Sequence, residues 1–164
     1  MNNKIRNLVQ SALIASLYVV LTLIARALGL DSGAIQVRFS EALCILPYFT
    51  AAAVPGVFIG CLLSNIILGN VFWDIIFGSI ATLVGAYAAY HLRRRKWLVP
   101  VPTILSNTII IPFILRFAYG IPGSIAYFIV TVGAGEIISC GIIGMILLTA
   151  LEKHRYTIFK NGNE

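Results

Sequence analysis

Long, almost uninterrupted apolar runs constrain this chain more than any other feature of its sequence. Turn residues and charges divide it into six such runs, at approximately Leu8–Leu28, Arg38–Val54, Pro55–Leu68, Phe72–Leu92, Trp97–Tyr119 and Gly123–Leu151. A transmembrane helix needs about 20 apolar residues to cross about 30 Å of hydrocarbon, and the first, fourth, fifth and sixth runs are long enough. The second and third are short and meet at Pro55. They form either two short or tilted spans or one broken or re-entrant element, and we expect two short spans.

The scarcity of charge supports an all-α membrane protein with six transmembrane helices. Only 11% of the 164 residues are charged, 12 basic and six acidic, whereas a soluble domain carries about 25%. Lys4 and Arg6 precede the first run in the manner of a signal peptide, but the run is too long for one and no clean cleavage site interrupts it. We therefore expect a retained first helix and a single integral membrane domain over residues 1–164.

The basic residues indicate an orientation. Six crossings place nine of the 12 on one side: Lys4, Arg6, the run Arg93-Arg94-Arg95-Lys96, Lys153, Arg155 and Lys160. Four or five crossings would separate the Arg93 run from one terminus. The positive-inside rule then predicts that both termini are cytoplasmic, in a multi-pass protein of the cell membrane. The net charge of +6 is thereby explained without a nucleic-acid partner.

Motifs for nucleotide, metal and hydrolytic chemistry are missing from the sequence. It contains no G-x-x-x-x-G-K-[ST] loop, no H-E-x-x-H and no G-x-S-x-G. Cys44, Cys61 and Cys140 stand singly in apolar runs, without the spacing of a zinc or redox site. We therefore expect no enzymatic activity, no cofactor and no metal site.

Glu136 is the ionisable residue placed deepest in the predicted membrane. It lies about 13 residues into the sixth run, or roughly 20 Å at 1.5 Å per residue, near the midplane. An ionisable residue at that depth indicates a functional site by default, and the plainer alternative is a structural pair with an arginine or polar neighbour. Asn107 lies at a similar depth in the fifth run.

Further polar residues fall at the outer ends of the predicted helices or in their loops. The charged ones are Arg26, Asp31, Arg38, Glu41, Asp74 and Arg116, and Asn65 lies near the outer end of the third run. Arg38 and Glu41 are three residues apart and therefore share a helical face. This spacing fits a functional pair, and it fits an isolated ion pair on the surface equally well. Trp73 and Tyr119 lie at the water boundary, where aromatic residues commonly anchor a protein. Because Trp73 adjoins Asp74, it suits a flat ligand carrying a cation or amide better than Tyr119 does.

A strip of small residues marks the inner part of the first run. Ser11 and Ala15 are four residues apart, and so are Ala12 and Ser16. Small residues at this spacing allow another helix to approach closely in lipid. On spacing alone we expect the strip to serve internal packing.

Four segments resemble the QueT family of queuosine-precursor transporters, which are S components of energy-coupling factor (ECF) transporters. The most specific runs from Gln36 to Leu43, reads QVRFSEAL and is followed by Pro47; the others are Pro55–Gly60 (PGVFIG), Asp74–Ser79 (DIIFGS) and Gly135-Glu136. The resemblance extends from Ala12 to about Leu151. It implies an S-component-like bundle whose site lies in the outer half, beneath the loops between helices one and two and between helices five and six.

The resemblance also implies a function and partners. The chain would capture a 7-deazaguanine, such as queuine or a pre-queuosine base, from outside a prokaryotic plasma membrane. It would join the membrane scaffold subunit EcfT and two ATPase subunits, whose ATP hydrolysis drives toppling of the S component. Ala12 and Ser16 resemble the A-x-x-x-A docking motif with serine as its second member, and Ser11 and Ala15 form the neighbouring register. The family likeness therefore favours docking over internal packing for this strip.

Site roles follow from the expected substrate. Glu136 would accept two N–H bonds from the guanine edge, and Asn107 would meet its carbonyl or ring nitrogen. Glu41 or Asp74 would neutralise an aminomethyl cation, and Trp73 or Phe39 would stack on the base. The predicted set is completed by Arg38, Asn65 and Arg116.

Three alternatives remain open from the sequence. The chain could be an S component for another vitamin or nucleobase, or a stand-alone secondary carrier or channel. An intramembrane enzyme would need a nucleophile and a base. Glu136 and Ser139 share a face, but no histidine or lysine lies in the predicted membrane to activate the serine.

Overall fold

The computed structural model describes residues 3–30 and 36–155, and within these ranges the chain is helical without strands. The six helices are α1 (Asn3–Ala27), α2 (Phe39–Tyr48), α3 (Ala53–Ile67), α4 (Asp74–Leu92), α5 (Lys96–Ala118) and α6 (Ile125–Glu152). The predicted all-α architecture and the count of six are confirmed. Four helices are long and apolar enough to span a membrane, while α2 and α3 are shorter apolar helices. Asp31 and Lys160, used in the charge argument, lie outside the described residues.

Helix α2 differs from the predicted span Arg38–Val54. It is a 3-10 helix of ten residues that contains Pro47, and all residues from Ser40 to Pro47 are buried. At about 2.0 Å per residue it covers about 20 Å, less than the hydrocarbon thickness. Residues 36–38 precede it in a non-helical segment that enters the bundle, with Arg38 in an extended conformation. In place of the predicted second span, the chain therefore forms this non-helical segment and a short helix whose residues from Ser40 to Pro47 are buried by the rest of the bundle.

Polar contacts join several helix ends at one end of the bundle, which we call the inner end. Glu152 at the end of α6 accepts hydrogen bonds from Tyr48 Oη at 3.0 Å and from Lys96 Nζ at 3.2 Å. Gln10 near the start of α1 accepts a hydrogen bond from Thr50 in the α2–α3 turn. The Arg93–Lys96 run therefore shares this end with the start of α1 and the end of α6. The opposite end is called the outer end.

Helices α1 and α3 pack through small residues. A Cβ on Gly60 would lie 2.6 Å from Tyr18 Cβ and 3.0 Å from the Ala15 carbonyl oxygen, so only glycine allows this approach. Ser11 donates to the Ala52 carbonyl at 2.8 Å. Ser11 and Ala15 are both buried in the bundle, which favours internal packing over scaffold docking for this register. The Ala12–Ser16 register is exposed on the other side of α1.

The main apolar core lies toward the inner end, between these helices. Ile45, Val57 and Leu148 are fully buried in it. Its thiols, Cys44, Cys61 and Cys140, are also buried and are free cysteines. A second and smaller apolar cluster lies further out and includes Ile111, Ile114 and Val132. The dense packing is thus concentrated away from the outer end.

Three helices widen into π-helical turns, at Asp74–Gly78, Ile114–Ala118 and Ile137–Ile143. A π-helical turn inserts an extra residue and rotates the helix face that follows, and such turns are frequent at functional sites. Asp74 begins the first of these turns and Glu136 immediately precedes the third. Both carboxylates are buried.

Candidate functional site

A cavity of about 230 Å³ opens in the outer half of the bundle. Its polar lining residues are Thr22, Arg26, Gln36, Arg38, Asn65, Asn70, Asp74 and Tyr119. Ligand pockets commonly measure about 300–1,000 Å³, so this cavity is somewhat smaller than that range. It is the larger part of the candidate site, and we call it the outer cavity.

Asp74 is the centre of a hydrogen-bond network in the outer cavity. Its Oδ2 accepts from Tyr119 Oη at 2.8 Å and from Asn70 Nδ2 at 3.2 Å. Asn70 also donates to Asn65 Oδ1 at 3.0 Å. Tyr119 follows the last turn of α5, and burial together with the Asp74 charge raises the pKa of its phenol to about 12. The phenol therefore remains a donor to Asp74 at neutral pH.

A second, smaller space of about 20 Å³ adjoins the first and is lined by Glu41, Asn107 and Glu136. We call it the inner pocket because it lies deeper than the outer cavity, although both spaces belong to the outer half of the bundle. Its volume is enough for about one water molecule. Asn107 Nδ2 donates to Glu136 Oε1 at 3.0 Å and lies 3.5 Å from Glu41 Oε2. One amide group thus lies between two buried carboxylates. Glu136 Oε2 has no hydrogen-bond partner among residues 3–30 and 36–155.

Glu41 is held by donors from two further positions. Tyr18 on α1 donates to Glu41 Oε1 at 2.5 Å, and the Cys44 thiol lies 3.3 Å from Oε2. Thr22, one turn beyond Tyr18, donates to Ser40 at 2.8 Å. Helix α1 therefore fixes the beginning of α2 through two side-chain contacts, and the Glu41 carboxylate is preorganised.

Residues 36–38 separate the two spaces, because Gln36 and Arg38 line both of them. The backbone of this segment is held against α6: the Arg38 amide donates to Ser139 Oγ at 3.1 Å. The Gln36 carbonyl oxygen occupies the position that a Cβ on residue 135 would need, so glycine is required there. The Arg38 side chain interacts electrostatically with Asp74 and Glu41, and it therefore connects the charges of both spaces.

The depth predicted for Glu41 is wrong. The sequence placed it at the outer end of a helix, whereas it contacts Asn107, which lies about 17 Å along α5 from Lys96. The difference arises because residues 36–38 enter the bundle before α2 begins. Arg38, also expected at the outer end, contacts Ser139 beyond Glu136 on α6.

Six predicted site residues line the two spaces: Glu136, Asn107, Glu41, Arg38, Asp74 and Asn65. Trp73 does not join them, since its exposed ring stacks on Phe77 at 5.8 Å and lines an apolar groove on the outer surface. Arg116 is also exposed and donates to the Ile121 carbonyl oxygen. Phe39 is half-buried and is absent from the lining of both spaces.

Sequence reasoning missed Tyr18, Gln36 and Asn70. Tyr18 is fully buried in the middle of α1, and a buried tyrosine hydroxyl usually requires a partner, so its depth was an available signal. Gln36 and Asn70 lie beside helix ends, where polar residues are ordinary. Among the described residues, no cluster of three histidine, cysteine or acidic side chains is arranged to hold a metal ion.

Comparison with known proteins gives two matches. The family model described as QueT transporter matches residues 8–153. The queuosine precursor transporter QueT of Lactococcus lactis subsp. cremoris (strain MG1363) is 37% identical over 82 residues, which are 50% of this chain and 48% of that protein. The match thus spans about half the length of this curated relative. No solved structure matches the chain.

Proposed function

The chain belongs to the QueT transporter family, and from this we propose that it is the substrate-binding S component of an ECF transporter. It captures a queuosine precursor, a 7-deazaguanine, outside a prokaryotic plasma membrane. The whole chain is one membrane domain and is not itself an enzyme. ATP hydrolysis by two partner subunits drives release of the substrate inside.

The arrangement of Asn107 between Glu41 and Glu136, beneath the outer cavity, carries this proposal. A guanine edge presents two adjacent N–H donors and a carbonyl acceptor. An ionised carboxylate accepts two parallel N–H bonds, while an amide supplies both a donor and an acceptor. The free Oε2 of Glu136, without a partner in the described part of the chain, supports its role at the guanine edge.

Recognition of this kind requires the base to pass residues 36–38. The inner pocket is too small for a purine-sized ring, whereas the outer cavity adjoins it through Gln36 and Arg38. We propose that the ring lies largely in the outer cavity and displaces the Gln36 and Arg38 side chains. Asp74 then faces any substituent that extends outward, and Asn65 supports it through Asn70.

Binding to the purified full-length chain tests the proposal. Queuine and the two pre-queuosine bases, one bearing an aminomethyl group and one a nitrile, are titrated by calorimetry. We expect micromolar or tighter binding of at least one of them. Glu136→Gln should weaken it by about 100-fold or more, because a charge-assisted pair of hydrogen bonds is lost.

Glu152→Gln is the matched control for this substitution, since it removes a carboxylate at the inner end, far from the pocket. It should leave affinity unchanged. Failure of all three bases to bind would refute the substrate assignment, and equal affinity of the Glu136→Gln variant would remove this residue from the site.

Partnering with the scaffold subunit is proposed for the exposed Ala12–Ser16 register of α1. Both side chains are small and face away from the bundle, so another helix can approach α1 there. Ala12→Trp should reduce co-purification with the scaffold and ATPase subunits by about tenfold. Val130→Trp, at an exposed position on α6, should have no effect. ATP-independent flux by the chain reconstituted alone would instead indicate a stand-alone carrier.

A further inference from the structure

We propose that ligand binding releases one proton from the inner pocket while the amine cation of the ligand enters the adjoining outer cavity, and that the site so selects an amine-bearing 7-deazaguanine over a neutral congener. This inference rests on the proposed function and specifies its substrate class. It follows from the composition of the inner pocket, where two carboxylates share one amide and one nearby cation.

The charges of the inner pocket are few and enclosed. Glu41 is 1% exposed and Glu136 is 9% exposed, and both bond to the same Asn107 side chain. Arg38 is the cation in the described lining of this pocket. With both carboxylates ionised, the lining carries one uncompensated negative charge. With one of them protonated, it is neutral.

The groups facing the two carboxylates come from every neighbouring element. They are Tyr18 on α1, Arg38 before α2, Cys44 on α2, Cys61 on α3, Asn107 on α5 and Cys140 on α6, while Asp74 on α4 acts on Arg38. Tyrosine and cysteine side chains are uncharged at neutral pH and bring no further cation. Two carboxylates that share such a site do not both ionise readily, so one of them holds a proton in the empty state.

The hydrogen bonds indicate which carboxylate holds it. Glu41 is within hydrogen-bond distance of donors on Tyr18, Cys44 and Asn107. Glu136 accepts from Asn107 alone among the described residues, and its Oε2 has no partner there. The structure therefore assigns the proton to Glu136.

Ligand binding changes the requirement at Glu136. To accept two N–H bonds from a guanine edge, the carboxyl group must be ionised, since the protonated form presents one donor and one acceptor. The released proton leaves to solvent through the outer cavity. An ammonium group on the ligand brings one positive charge into the outer cavity, where it faces Asp74, so the total charge of the two connected spaces is unchanged. A neutral ligand leaves an uncompensated buried negative charge, which is unfavourable.

Calorimetry in two buffers of different ionisation enthalpy measures the protons released. The probes are 7-aminomethyl-7-deazaguanine, which is cationic at neutral pH, and 7-cyano-7-deazaguanine, which is neutral. For the aminomethyl base we expect release of about one proton and an affinity that rises by about tenfold per pH unit while Glu136 is protonated in the free protein. For the cyano base we expect affinity at least tenfold weaker and little proton release.

Two variants separate this exchange from a merely structural role of the acids. Glu41→Gln leaves Arg38 to neutralise Glu136, so the proton count should fall toward zero and the preference for the aminomethyl base should disappear. The Glu152→Gln variant should still release about one proton when the aminomethyl base binds. Where binding is too weak for calorimetry, infrared difference spectra should show the loss of a protonated carboxyl signal on binding, and Glu136→Gln should lack that signal.

The outcomes distinguish this inference from the proposed function. If both bases bind with equal affinity and no proton is released, the exchange is refuted while the transporter assignment stands. An unchanged proton count in Glu41→Gln would also overturn it. If neither base nor queuine binds, the proposed function itself fails.

Discussion

The inner and outer halves of the bundle differ in packing and in polarity. In the inner half, apolar side chains such as Ile45 and Leu148 are fully buried, and helices approach one another at Gly56 and Gly60. In the outer half, buried Asp74, Asn107 and Glu136 line two connected spaces. Close packing stabilises the first half, whereas the second keeps volume open and buries groups that are costly to dehydrate.

This difference indicates that stability and ligand recognition are largely separable in the protein. Substitutions more than about 10 Å apart that share no partner usually have additive effects. Changes in the inner core should therefore alter unfolding without altering affinity, whereas changes around the outer cavity should alter affinity and have only small effects on unfolding. Residues 36–38 and Glu41 connect the halves, and effects there should appear in both measurements.

The largest expected effect is a test of the inner half. Leu148→Ala removes a fully buried side chain from the main core and should lower the free energy of unfolding by about 3 kcal/mol. Thermal unfolding in detergent measures the change. Ligand affinity, corrected for the folded fraction, should stay within twofold, and a large loss of affinity would show that the halves are not separable.

A smaller effect is expected where the halves meet. Gly135→Ala places a Cβ on the Gln36 carbonyl oxygen, which is backbone and cannot rotate away. Overpacking of this kind costs about 1–3 kcal/mol, and displacement of residues 36–38 should also weaken ligand binding by about tenfold.

Gly141→Ala is the matched control on the same helix. Its Cβ would lie 3.6 Å from the Ile104 side chain, an ordinary contact, so stability and affinity should change little. If the two variants behave alike, the close approach of residues 36–38 to α6 is unimportant for binding.

The smallest effect concerns the outer network. Tyr119→Phe removes one hydrogen bond to Asp74 and should cost about 1 kcal/mol. Because folding raises the phenol pKa from 10.0 to about 12, the folded state holds this proton more tightly. Its contribution to stability is therefore complete below about pH 10 and is lost as the pH rises toward 12.

The difference in melting temperature between the native chain and Tyr119→Phe measures this contribution. This temperature difference should be constant from pH 6 to pH 9 and should become smaller above about pH 10. A difference that already changes near neutral pH would assign the titration to another group.

Much of the fold was predictable because the length of each apolar run and the position of each basic residue are properties of the sequence itself and need no knowledge of tertiary contacts. Glu136 and Asn107 were predicted from depth alone, since helix rise converts residue number into distance, and both line the inner pocket. Glu41 was placed at the wrong depth because residues 36–38 enter the bundle before α2 begins. The position of these residues depends on contacts with α6, about 100 residues later in the chain, and the periodicity of the sequence does not predict such contacts. Trp73 does not line either space, because proximity to Asp74 in the sequence does not determine which face of α4 a side chain occupies.

The burial of all three cysteines gives the native chain an unreactive surface toward thiol reagents. A single cysteine introduced at an exposed position would therefore carry a spin label or fluorophore without replacement of any natural residue. Pairs of such labels on two helices of the chain would report how far the helices move relative to one another when a ligand is added.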